Sequence, residues 1–132
     1  MLIVPKDTLP TVRIDGEVAA HIFDGAGHGS VPSSAFIVDL APDRGPRRHT
    51  HPYPEVFVVV EGVVRVEADG TETDLTPDQI CVVPAGAPHT FVNAGPGRAR
   101  MVNIHASSEV VTEFTGDDAV TQGSYEYGAR PE

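Results

Sequence analysis

Tryptophan is absent from this chain, and cysteine and lysine occur once each, as Cys81 and Lys6. A single thiol excludes an intrachain disulfide. Cys81 sits in the apolar run Ile80-Cys81-Val82-Val83 and reads as a small buried hydrophobe rather than a reactive thiol. Positive charge is scarce: 9 Lys and Arg face 19 Asp and Glu, for a net charge of -10. Such a balance argues against a nucleic-acid or anionic-membrane surface. Long hydrophobic runs are missing too. Val56-Phe57-Val58-Val59-Val60 has the length of a buried strand, not of a membrane span. The start, Met1-Leu2-Ile3-Val4-Pro5-Lys6-Asp7, lacks the basic region and long apolar core of a secretory signal, so a cytoplasmic protein is expected. No helical periodicity is sustained. There is no Gly-rich phosphate loop with its lysine, and no convincing Ser-His-Asp arrangement.

Turn formers are plentiful instead. Thirteen Gly and 12 Pro cut the 132 residues into short pieces rich in Val, Ile, Phe and Thr. The pieces read as strands over 11–15 and 18–23 around Gly16, then 35–40, 56–60, 63–68, 71–75, 80–83, 89–92 and 98–105. Residues 24–34 form a Gly/Ser-rich loop, and Asp69-Gly70 is a strong hairpin signal. In 63–68, Val64 and Val66 should face in, with Arg65 and Glu67 out. Many short strands at close spacing make an all-β sandwich or barrel, one domain over 1–115 with an apolar N-terminal arm, Leu2-Ile3-Val4. Residues 116–132 are polar and read as a tail that is flexible or crosses a partner subunit.

Chemistry concentrates in His49-Thr50-His51, Glu55 and His89. Residues i and i+2 of a strand share a face, so His49 and His51 present two imidazoles side by side. Glu55 has the same parity, and the turn-rich Pro84-Ala85-Gly86-Ala87-Pro88 can bring His89 in from a neighbouring strand. Three imidazoles and a carboxylate suit one divalent transition metal: Fe, Mn, Zn, Ni and Cu all remain open. Parity also groups Phe57 and Val59 with Glu55, Phe91 with His89, and Met101, Asn103 and His105 with one another. These side chains either line a pocket beside the metal or form plain core; in a small barrel the two overlap. Tyr53, in the Pro-Tyr-Pro bend, either walls the mouth or packs. His105 is a satisfied strand-end histidine or a group behind the ligands; His21 and His28 are weaker candidates. Arg44, Arg47 and Arg48 either steer an anionic substrate or pair with Asp43 or Glu67.

The stretch Gly45-Pro46-Arg47-Arg48-His49-Thr50-His51-Pro52-Tyr53-Pro54-Glu55, with Gly62 seven residues on, resembles the first cupin motif. Pro84-Ala85-Gly86-Ala87-Pro88-His89-Thr90-Phe91-Val92-Asn93 resembles the second, with Pro, Gly, His and Asn at the family's spacing. Two family glycines are replaced, by Asp43 and Asp78; Asp tolerates unusual turn conformations better than most residues. The resemblance implies a double-stranded β-helix jelly roll and a metal held by His49, His51, Glu55 and His89. It also implies a homodimer made by exchanging N-terminal strands or packing sheet on sheet. The leading expectation is an enzyme acting on a small organic molecule, with dioxygenase-type oxidation as the first reaction class. Isomerase, cyclase and lyase chemistry occur on similar cupins, and fold does not choose among them. The alternative is a metal-containing sensor or small-molecule binding module. No attached DNA-binding domain points to a one-chain regulator, and the intact ligand set disfavours a storage or purely structural cupin.

Overall fold

The structure is a computed structural model that describes residues 1–115 and the backbone of 125–129. Its strands are β1 (Thr11–Ile14), β2 (Glu17–Asp24), β3 (Ser34–Leu40), β4 (His49–Thr50), β5 (Glu55–Glu61), β6 (Val64–Ala68), β7 (Thr71–Leu75), β8 (Ile80–Val83), β9 (His89–Asn93), β10 (Ala99–His105), β11 (Glu113–Phe114) and β12 (Tyr125–Ala129). One short 3-10 turn, Lys6–Thr8, precedes them. They form a seven-stranded sheet, β12-β1-β2-β3-β10-β5-β8, and a five-stranded sheet, β11-β4-β9-β6-β7. Every described pairing is antiparallel. The inner faces share one core, with Val38, Phe57 and Met101 from the larger sheet meeting Val64, Val66 and Phe91 from the smaller. This is the expected jelly roll.

Local patterning accounts for most elements. Along β3, Phe36, Val38 and Leu40 are buried while the residues between them are half-exposed, the period-2 signature of a sheet covered on one face. The hairpins β1–β2 and β6–β7 turn on Asp15-Gly16 and Asp69-Gly70, whose φ values are all positive (54, 78, 49 and 79°). Two consecutive positive φ values give the mirror-image turn that matches strand twist. Val64 and Val66 face in and Arg65 is exposed, as the alternation requires, while Glu67 is half-buried.

Of the two aspartates that replace family glycines, Asp43 has φ 64° and Asp78 has no positive φ. The first turn therefore keeps the left-handed geometry that Asp tolerates, and the second does not need it. Gly45 is required for another reason: a Cβ there would lie 1.8 Å from the Phe91 carbonyl oxygen.

The run at β5 is a central strand, between β10 and β8, with Val60 exposed and Val56 and Val58 half-exposed on its outer face. Two features depart from the sequence reading. β11 has only two residues and carries no periodic signal. Within the expected tail, Tyr125–Ala129 is a strand that pairs with β1 of the same chain; residues 116–124 and 130–132 lie outside the described residues.

Candidate metal centre

His49 stands on β4, paired across the sheet with His89 on β9. His51 lies just past the end of β4. The chain then bends through Pro52-Tyr53-Pro54 and enters the other sheet, where Glu55 opens β5 opposite His105 on β10. Glu55 thus does not reach the site along the histidine strand. Shared parity is incidental; the bend carries the carboxylate across the barrel, and the two inner faces converge. The ligand atoms of His49, His51, Glu55 and His89 all lie within 4.8 Å of one another, and all four residues are buried.

The other ring nitrogens are committed. His49 Nδ1 meets the Arg47 carbonyl at 2.7 Å, His51 Nδ1 the Val111 carbonyl at 2.8 Å, and His89 Nδ1 the Ala87 carbonyl at 2.8 Å. A carbonyl oxygen only accepts, so each Nδ1 donates its N–H to that carbonyl and each ring turns its Nε2 to the centre. Such outer hydrogen bonds orient metal-binding imidazoles and raise their basicity. His51 Nε2 has no hydrogen-bond partner although it is buried; it is 3.2 Å from Glu55 Oε1, off the line of a hydrogen bond. Glu55 Oε1 is also 3.0 Å from His89 Nε2. A divalent cation held there would relieve this crowding of donor atoms and negative charge. The donor set fits a first-row metal and could hold one, without choosing which.

Burial lowers the His49 imidazole to about 4, with His89 alongside adding to the effect and the Arg47 carbonyl opposing it. Burial pushes the Glu55 carboxyl up, but the histidines around it, His105 foremost, outweigh burial and hold the group well below its usual range. Both groups therefore bind protons more readily in the unfolded chain. Stability should fall as pH drops below 6.5, the ordinary value for His49, toward about 4. The Glu55 share is present above its ordinary 4.5 and is lost at still lower pH. A bound metal should leave over the same acid range, because protons compete for its ligands. Melting curves and metal content between pH 7 and 4 check this; a flat profile contradicts it.

The remaining candidates separate. His105 Nε2 donates to Glu55 Oε2 at 2.9 Å, and its Nδ1 lies 2.6 Å from Tyr53 Oη. Val111 N–H donates to that same Tyr53 oxygen at 3.1 Å. His105 is thus the group behind the ligands: it fixes one carboxylate oxygen and leaves Oε1 for the metal. Tyr53 does not wall the mouth; it stacks on His51 and steadies His105.

A cavity adjoins the ligands. Its volume is about 40 Å³. Phe91, Asn103 and His105 line it, whereas Phe57 and Met101 do not and are core. Phe57 supports the wall from behind, edge-on to Phe91 at 5.3 Å.

The rest of the wall was not anticipated as pocket: Ile14 of β1, Ala20 of β2, Phe36 and Leu40 of β3, and Thr112 and Phe114 near β11. Alternation in β3 carried a usable signal. Nothing local reveals that Phe114 folds back beside His49, at a ring distance of 6.1 Å.

The arginines are engaged at the surface. Arg44 pairs with Asp15 at 2.9 Å, Arg48 pairs with Glu67, and the Arg47 guanidinium sits 4.9 Å over the Phe114 ring. The Glu67 pairing is one expected from sequence; Asp43 takes no such part. His28 bonds the Asp24 carbonyl in its loop, and His21 is half-buried on β2, both away from the centre. Cys81 is half-buried rather than buried, with its thiol pushed up by burial and by Glu55.

The chain belongs to the cupin family: the family model described as "Cupin domain" matches residues 36–105. Among individual proteins it is similar to "Polyketide synthase CurC" of Streptomyces cyaneus, 42% identical over 75 residues, covering 56% of this chain and 49% of that protein. Among solved structures it resembles a recombinant oxalate oxidase in complex with glycolate, with TM-score 0.66 and 25% identity over 73% of this chain and 54% of that one. It also resembles the oxalate decarboxylase of Bacillus subtilis, with TM-score 0.66 and 18% identity over 77% of this chain and 30% of that one, in a study of that enzyme's Mn(II) centres. The chain spans about half or less of the length of these relatives.

Proposed function

We propose that this protein is a metal-dependent cupin enzyme that acts on a small, largely apolar organic molecule, with dioxygenase-type oxidation as the leading reaction class. One observation carries the reading. Three imidazole Nε2 atoms and Glu55 Oε1 converge at a cavity whose wall is mostly hydrocarbon. A divalent metal held there would supply Lewis acidity and, if redox-active, electron transfer. The chain supplies the rest. His49, His51 and His89 are pre-oriented by backbone carbonyls, His105 holds the Glu55 carboxylate, and Phe36, Phe91 and Phe114 exclude water and shape the substrate's place.

The direct test is oxygen uptake by iron-loaded protein with a panel of small phenols, thiols and diketones. Turnover of at least one compound is expected. If no metal restores turnover of any, yet one compound binds at micromolar affinity, the protein is a binding or sensor module instead.

The polyketide synthase relative favours a second reading at the same site, a metal-assisted cyclisation of an enolisable polyketone. Oxygen separates the two, since cyclisation proceeds under argon and dioxygenation does not.

The setting proposed is cytoplasmic. Among the described residues no helix is long and apolar enough to cross a membrane.

A homodimer completes the proposal. Val60, Ile80, Val82 and Ile104 are exposed on the outer face of β10-β5-β8, where Val82 pairs with Val56 and Ile80 with Val58. β8 is also a sheet edge. An apolar face beside an open edge is a liability for a monomer and suits sheet-on-sheet packing with a second copy. The exposed Leu2 and Ile3 of the N-terminal arm add apolar surface for that contact. Light scattering at micromolar concentration should give twice 14.0 kDa. Ile80→Lys combined with Val82→Lys should shift the population to monomer, and a monomeric parent protein refutes the claim.

A further inference from the structure

We infer that Asn103 recognises the ligand by accepting a hydrogen bond from a hydroxyl of an otherwise apolar, uncharged molecule, a phenol or an enol. The inference rests on the proposed cavity as the place where a small molecule binds, and deepens that reading by naming the class of molecule.

Asn103 lies on the inner face of β10, between Phe36 of β3 and Phe57 of β5 in the sheet register. It is 2% exposed and lines the cavity. Its Oδ1 is buried and has no hydrogen-bond partner among the described residues.

The barrel's other buried asparagine shows what a structural role looks like. Asn93 donates to the Leu40 and Gly97 carbonyls at 2.9 and 2.7 Å, and its Oδ1 accepts from Gly95 N–H at 3.0 Å. Thr90, also buried, donates to the Pro46 carbonyl at 2.8 Å. Asn103 has no such account. An unpaired acceptor in a hydrocarbon wall costs stability, and a leucine of similar size would avoid the cost. A group that donates to it from the cavity explains its presence.

The rest of the lining narrows the donor. No Lys or Arg is among the described lining residues. Away from the metal centre, a ligand carboxylate lying against the wall would meet mainly hydrocarbon and the Asn103 amide, with no described Lys or Arg to pair with. An ammonium would find an acceptor, but its charge would be desolvated against the same hydrocarbon wall. An uncharged hydroxyl on a flat apolar body satisfies Oδ1 and buries the remainder against Phe36, Leu40, Phe91 and Phe114.

The test compares 4-methylphenol with its methyl ether, 4-methylanisole, a pair that differs in the donor hydrogen. Binding is followed by NMR titration of the full chain, both zinc-loaded and metal-free. The metal-free arm removes direct phenolate–metal bonding as a source of preference. The parent protein should prefer the phenol in both arms, on the order of tenfold, the worth of one hydrogen bond made in a dry site. The Asn103 side-chain amide signals should shift with the phenol and stay in place with the ether.

Asn103→Leu should abolish the preference, leaving ether affinity within about twofold and zinc content unchanged. If that variant does not fold, the amide signals of the parent protein still decide. Equal binding of both compounds, binding of neither, or Asn103 signals that stay fixed at phenol saturation each overturns the inference. Failure to take up zinc with the hydroxyl preference intact would instead count against the metal-dependent enzyme, so the two ideas fail separately.

Discussion

His51→Ala is expected to abolish stoichiometric metal uptake and to lower the melting temperature of metal-loaded protein by roughly 10 °C. His51 is a candidate ligand whose buried Nε2 has no hydrogen-bond partner among the described residues. Removing it takes one of the four donors from the centre and frees the Val111 carbonyl that oriented it. Metal bound only by the folded state stabilises through mass action, about 2.7 kcal/mol at a hundred times the dissociation constant. For a domain of this size that corresponds to roughly 10 °C. Elemental analysis and melting curves with and without chelator check both parts. The parent protein should lose stability on chelation, whereas the variant should not respond. His28→Ala, in a loop away from the centre, should retain metal. A His51 variant that holds metal as tightly as the parent would remove the centre from consideration.

Gly45→Ala should be the most damaging small substitution in the first motif. Its Cβ would lie 1.8 Å from the Phe91 carbonyl oxygen and 3.1 Å from Val92 Cα, so β9 must move. Backbone pressed on backbone has no rotamer with which to relax. The expected loss is roughly 3 kcal/mol or more, at the upper end for overpacking. Phe91 is two residues from His89 on the same strand, so metal affinity should fall with stability. Gly70→Ala is the matched control. Gly70 has φ 79° but open space around its Cβ position, so only the left-handed backbone is penalised, by about 1–2 kcal/mol. Urea unfolding of the two variants separates the effects. Equal losses would mean that β9 yields easily and that the close approach at Gly45 does not hold the site together.

Much of this protein is readable one segment at a time. Strand alternation depends only on neighbouring residues, so β3, β5 to β8 and β10 follow from pattern within a residue or two. The hairpins follow from Asp15-Gly16 and Asp69-Gly70, because few residues tolerate two successive positive φ values. His49, His51 and His89 stand out because imidazoles spaced along strands near sharp turns have few other uses.

Closure of the two sheets decided the rest. It carried Glu55 across the barrel to meet histidines of the opposite sheet. It set His105 behind that carboxylate and Tyr53 behind His105, contacts that join residues 50 and 52 positions apart in the chain. It brought the Val111 carbonyl, 60 residues away, onto His51, and Phe114 beside His49. Local periodicity says which face of a strand is apolar, but not which distant strand will lie opposite. For that reason the candidate metal ligands were visible in the chain, while the cavity wall and the place of Asn103 in it emerged only from the packed barrel.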